Sequence, residues 1–149
     1  MYPHLLATHN VFRWLVLFTL LIAIIIAFSG WLGNKTYGKG AHKARVFTVI
    51  FAHVQLVLGL VLYFVSPQVT VFLDDVSAGM KDKALRFVGM EHGLMMLIAV
   101  IAITIGSAKV KRQTTDTGKY KTMAIWFAIA LAVILYAIPW AMPHFRPFN

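Results

Sequence analysis

The chain has 149 residues, 60% of them hydrophobic and only 13% charged, with a mean hydropathy of +0.76; this excludes an ordinary soluble domain and points to an integral membrane protein. The net charge of +9 does not indicate a nucleic-acid binder, because the basic residues sit in short connectors between apolar runs rather than in a stripe on one face. They read as orientation signals and as contacts to anionic membrane lipids. The absence of cysteine excludes disulfides, thiolate metal sites, iron–sulfur ligation and covalently attached c-type haem, and leaves His, Met and carboxylate as metal ligands.

Four apolar runs, Trp14 to Leu32, Val46 to Ser66, Phe87 to Gly106 and Met123 to Trp140, each approach the length needed to span a bilayer. Short connectors make neighbouring helices antiparallel. The expectation is one all-α domain over 1–149, a transmembrane up-down four-helix bundle with helices near 3–32, 42–66, 83–107 and 121–142. Nine of the 14 Lys and Arg fall in the first and third connectors, so those loops are expected in the cytoplasm and both termini outside it.

Met1-Tyr2-Pro3-His4 lacks a basic leader and the first run is too long for a cleaved signal, so it is expected to remain as a mature helix. Pro3 suits a helix start, and His9 and Arg13 lie four apart on one face near the outer boundary. Two readings stand side by side. Either Arg13 snorkels and His9 hydrogen-bonds at the interface, or Arg13 pairs with a cofactor's anionic group or with Glu91 while His9 approaches that cofactor.

The second helix places His53 a third to halfway across the bilayer, where an unpaired polar group is costly. Gln55, Gly59 and Tyr63 form a separate stripe, well rotated from His53. That stripe reads first as close packing with Gln55 hydrogen-bonded across the bundle, and alternatively as a quinone-sized groove.

The third helix carries the central stretch, Gly89-Met90-Glu91-His92-Gly93. Ionisable groups within a span mark a functional site by default, and a partner should be named. The partner expected for His92 is His53: two imidazoles on neighbouring helices suit one iron porphyrin, and Gly89 and Gly93 leave room for its flat face. Two neutral imidazoles saturate the iron and favour one-electron transfer over oxygen chemistry. Each ring's other nitrogen should donate to a carbonyl or carboxylate, and Arg13 and Arg86 are the cations available to propionates. If the second helix starts late, His53 and His92 differ by ~10 Å in depth, and His9 with His92 becomes the alternative pair. Met90, Met95 and Met96 as copper ligands are a weaker alternative, since methionine in an apolar helix usually fills space. The fourth helix has no buried ionisable group; Ala124, Ala128 and Ala132 are spaced for close packing, and the tail 143–149 is too short to be a domain and is available to contact a partner subunit.

His9-x-x-x-Arg13-Trp14, Phe51-x-His53-x-Gln55 with Gly59 and Tyr63-Phe64-x-Ser66-Pro67, Arg86-Phe87, Glu91-His92 and Ile138-Pro139-Trp140 resemble a family of small bacterial four-helix membrane proteins called cytochrome B. The resemblance covers nearly the whole chain; at the level of helix count and histidines the architecture also resembles cytochrome b561-type bundles and one half of haem A synthase. It implies a b haem in a respiratory setting, with His9, His53 and His92 as the family's histidines, and it supplies no substrate. The leading expectation is therefore a b-type electron carrier, with haem b as cofactor and quinone as an alternative ligand. The competing one is a non-catalytic accessory subunit of a larger membrane complex, and a His/Met/Glu91 transporter is the third.

Overall fold

The computed structural model describes residues 1–140. Those residues are helical almost throughout and contain no strand. Helix α1 spans Tyr2–Leu32 and α2 Lys39–Val65; three short helices, α3 (Pro67–Asp74), α4 (Val76–Lys81) and α5 (Lys83–Arg86), lead to α6, His92–Arg112, and α7, Asp116–Ala137. A π-helical turn, Phe87–Glu91, fuses α5 to α6. Four helical stretches, Tyr2–Leu32, Lys39–Val65, Lys83–Arg112 and Asp116–Ala137, are long and apolar enough to cross a membrane. The chain is a multi-pass membrane protein of the up-down four-helix type.

The connectors follow local backbone chemistry. Ser66 precedes Pro67, which forces it into an extended conformation and ends α2; its hydroxyl then accepts from Val69 N to cap α3. Asp75 caps α4, and Asp82 caps α5 by accepting from both Ala84 N and Leu85 N. Thr115 caps α7 through Gly118 N. At the far end of α7, Ile138 is extended ahead of Pro139, so the helix stops at Ala137, short of the expected 142. Positions 141–142 and the tail 143–149 lie outside the described residues.

In cross-section the order is α1, α2, α6, α7, with α7 closing against α1. Helices α1 and α6 therefore stand on one diagonal. The seam between α2 and α6 is the loosest of the four. One end of the bundle, the terminal end, carries both Tyr2 and Trp140. The other, the basic end, carries Lys35, Lys39, Lys43, Lys109, Lys111, Arg112, Lys119 and Lys121.

The basic half is solid. Leu20, Ala23 and Ala27 of α1, Ile103 of α6, and Met123, Ala124, Phe127 and Ala130 of α7 are completely buried. A Cβ on Gly30 would run into the Tyr120 ring and one on Gly106 into Trp126, so both glycines permit direct helix contact there. The packed face of α7 is Ala124, Phe127, Ala130 and Ile134; Ala128 is half-buried and Ala132 faces outward, which corrects the expected alanine stripe. Arg45 is also enclosed here at 3% exposure, donating to the Tyr37 and Ser107 hydroxyls and lying 3.2 Å from His42 Nδ1. Around this end, Lys109, Lys119 and Lys121 sit over the rings of Trp126, Tyr37 and Trp31. The outer surface between the two ends is apolar, with Phe18, Ile25, Val57, Leu60, Ile101 and Ile129 exposed, as lipid contact requires.

Candidate functional site: a two-histidine cavity in the terminal half

In the terminal half the four helices part around a cavity of about 490 Å³. That volume lies within the range of small-molecule and cofactor sites. Its walls are mainly apolar, and its polar members include His9, Asn10 and Arg13 from α1, Gln55 and Tyr63 from α2, and His92 from α6. Val16, Ala52, Ala99 and Ile103 form its floor.

His92 is held for use. Its Nδ1 lies 2.8 Å from the carbonyl of Ala137, the last residue of α7, whose oxygen has no partner further along the helix. Donation to that carbonyl places the ring proton on Nδ1 and leaves the Nε2 lone pair available, the arrangement that orients a metal-binding imidazole. Met96, Ala99 and Ile103 continue the His92 face down the cavity wall at helical spacing.

His9 faces the same cavity from the opposite corner. The Gln55 amide donates to the His9 backbone carbonyl at 2.9 Å and lies 3.3 Å from His9 Nε2. Because the carbonyl fixes which end of the amide is NH₂, Nε2 accepts and the proton resides on Nδ1. That Nδ1 is buried without a hydrogen-bond partner, as is Gln55 Oε1. The imidazole lies against Gly59, where an added Cβ would come within 3.2 Å of Cε1. Gly59 thus makes space for the ring, and the Gln55, Gly59 and Tyr63 stripe lines the cavity.

The expected pairing of His53 with His92 is corrected. His53 is exposed on the flank of α2; its Nδ1 bonds to Val49 O of its own helix at 2.7 Å, and its Nε2 lies 3.3 Å from the Thr104 hydroxyl. Thr104 is 12 residues beyond His92 along α6, a rise of ~18 Å. Two nitrogens on one metal ion are only ~4 Å apart. His53 is a satisfied hydrogen-bonding residue of the basic half, and the alternative pair, His9 and His92, is the one that shares a cavity.

Arg86 is also placed differently from expectation. Its Nε donates to Glu91 Oε1 at 2.6 Å and its Nη1 to Met80 O at 3.0 Å, so Glu91 pairs with Arg86 rather than Arg13. Arg13 lines the cavity, with its guanidinium 5.6 Å from the Trp14 ring centre. The two glycines divide. Gly89 is small because the Phe72 ring of α3 occupies the place of its Cβ, whereas Gly93 is exposed on the cavity wall with nothing within 4 Å of a Cβ.

Leu60 and Phe64 of α2 and Leu94 and Leu97 of α6 line the cavity and are also exposed on the outer apolar surface. An apolar side of the cavity therefore lies along the loose α2–α6 seam.

Among the described residues no three His, Cys, Asp or Glu side chains gather, so a carboxylate-rich metal cage is not built here. A haem needs less: two imidazoles, an apolar slot and a cation. His92, His9 on the diagonal helix, the uncovered wall at Gly93 and Arg13 fit that requirement, and the buried Gln55 Oε1 has polar capacity left unused. No family model matches the chain, and no curated protein or solved structure matches it.

Proposed function

We propose that the chain is a b-type haem protein of the membrane that carries single electrons in a respiratory or quinone-linked setting. The observation that carries this reading is His92: a ring anchored through Nδ1 to the Ala137 carbonyl, lining a cofactor-sized cavity that a second imidazole, His9, also lines from the diagonal helix. His92 and His9 would hold the haem, His9 through the Nε2 that now accepts from Gln55. Arg13 would balance a propionate, and the wall at Gly93 would lie along the ring face. A haem held between two imidazoles supplies a reversible one-electron couple with no open coordination position. In this reading the basic end lies in the cytoplasm and the cavity near the outer face of a bacterial inner membrane. Almost all of the chain's mass lies in the membrane, which suits a subunit that hands electrons to a larger respiratory assembly.

A second reading is favoured by the apolar side along that seam. A lipid-soluble quinol could enter between α2 and α6 and donate its hydroxyl to His92 Nε2 in place of iron.

Absorption spectroscopy of the purified protein, oxidised and reduced, separates the two. Haem binding predicts a Soret band with sharp reduced bands, lost in His92→Ala and in His9→Ala and retained in His53→Ala. A protein made in haem-sufficient cells and still colourless after haem titration would overturn the haem reading. Loss in His53→Ala with retention in His9→Ala would overturn the ligand assignment.

A further inference from the structure

The turn that delivers His92 is π-helical, and three separate contacts hold it so. His92 N bonds to Phe87 O, a five-residue step in place of the four-residue step of an α-helix. One extra residue in a helix rotates the downstream segment by about 100° around the axis relative to the upstream one. The direction of His92 relative to α5 and its neighbours therefore depends on keeping that residue in the turn.

The Arg86–Glu91 pair is itself a mark of the π register. Side chains five apart on an α-helix point about 140° away from each other and do not meet; here they pair at 2.6 Å. The second contact comes from α2: the Tyr63 hydroxyl donates to the Gly89 carbonyl at 2.9 Å, within the turn. The third is the Phe72 ring of α3, seated where Gly89 lacks a side chain. Of the three, only Tyr63 both lines the cavity and reaches the turn.

We propose that Tyr63 is a positioning residue, whose hydroxyl locks the π-turn and thereby aims His92 at both the cavity and the Ala137 carbonyl. Its importance for function rests on the reading of His92 as a ligand, but the aiming is a property of the protein alone. The Tyr63 hydroxyl is engaged with the Gly89 carbonyl and so acts through the backbone.

The test uses the full chain in detergent, with ¹⁵N-labelled histidine and no haem. The His92 signal is identified by its loss in His92→Gln. In the wild type His92 should show a protonated Nδ1 and an unprotonated Nε2. In Tyr63→Phe its nitrogen shifts should move toward a mixture of the two tautomers, as the Ala137 contact is released, while the His53 signal stays in place. Glu91→Gln, which weakens the Arg86 pair while keeping Tyr63, should move His92 in the same direction and serves if Tyr63→Phe does not fold. Haem titration forms a second arm: Tyr63→Phe should raise the Kd about tenfold, as removal of a ligand's supporting contact does, without a matching fall in thermal stability. A moved His92 signal supports the aiming even if no variant, wild type included, takes up haem, in which case only the haem reading fails. An unmoved His92 signal in the folded variant overturns it.

Discussion

Toward the basic end, Leu20, Ala27, Met123 and Phe127 are fully enclosed and two glycines let rings press on backbone; toward the terminal end, the same four helices enclose about 490 Å³ of open space. The difference lies in which residues face inward. Small and medium apolar side chains close the first half. In the second, His9, Arg13, Gln55 and His92 occupy inward positions that Ala or Leu could have filled. Burying such groups in a membrane is costly; the bonds from Gln55 to the His9 carbonyl and from His92 to the Ala137 carbonyl offset part of that cost. A bundle held together by one half is free to keep the other half for a ligand.

This contrast can be broken by substitution. The largest expected effect is Phe127→Ala, which empties a fully buried site and should cost about 3 kcal/mol, read as a lowered unfolding midpoint in detergent. Gly106→Val places a side chain against Trp126 and should cost about 1–3 kcal/mol, with α6 and α7 forced apart. Ser107→Ala removes an acceptor from the enclosed Arg45 guanidinium and should cost about 1–2 kcal/mol. The smallest effect, and the sharpest for the comparison, is Gly93→Ala. Because nothing lies within 4 Å of the new Cβ, stability should hold or rise by up to ~1 kcal/mol. Equal losses at Gly93 and Gly106 would show that the terminal half is as tightly packed as the basic half.

The spans and the candidacy of His92, which lines the cavity, are legible in the sequence, because apolar run length and an ionisable pair inside a run survive any uncertainty in rotation. Which side of α2 faces inward is not. A membrane helix is apolar around its whole circumference, so the polar/apolar contrast that reveals the inner face of a soluble helix is missing. By sequence, His53 is therefore as good a partner as the Gln55, Gly59 and Tyr63 stripe, which is the face that lines the cavity. The π-turn is hidden for a different reason. Its only sequence signs are an Arg and a Glu at an offset of five and a glycine between them, a spacing without meaning until the helix is known to change pitch there. The roles of Asp75 and Asp82 as helix caps likewise give these carboxylates a local structural purpose that a count of loop charges does not reveal.

The cavity's floor has an electrical consequence. Val16, Ala52, Ala99 and Ile103 close it, and the packed layers of Leu20, Met123 and Phe127 lie beneath, so among the described residues the cavity is sealed from the basic end. His9 lies seven residues into α1, a depth of ~10 Å. A charge moved from the nearer surface to that level crosses roughly a third of the transmembrane voltage, worth ~0.8 kcal/mol per 100 mV. If the cavity holds a haem as proposed, electron uptake there would respond to membrane energisation only weakly.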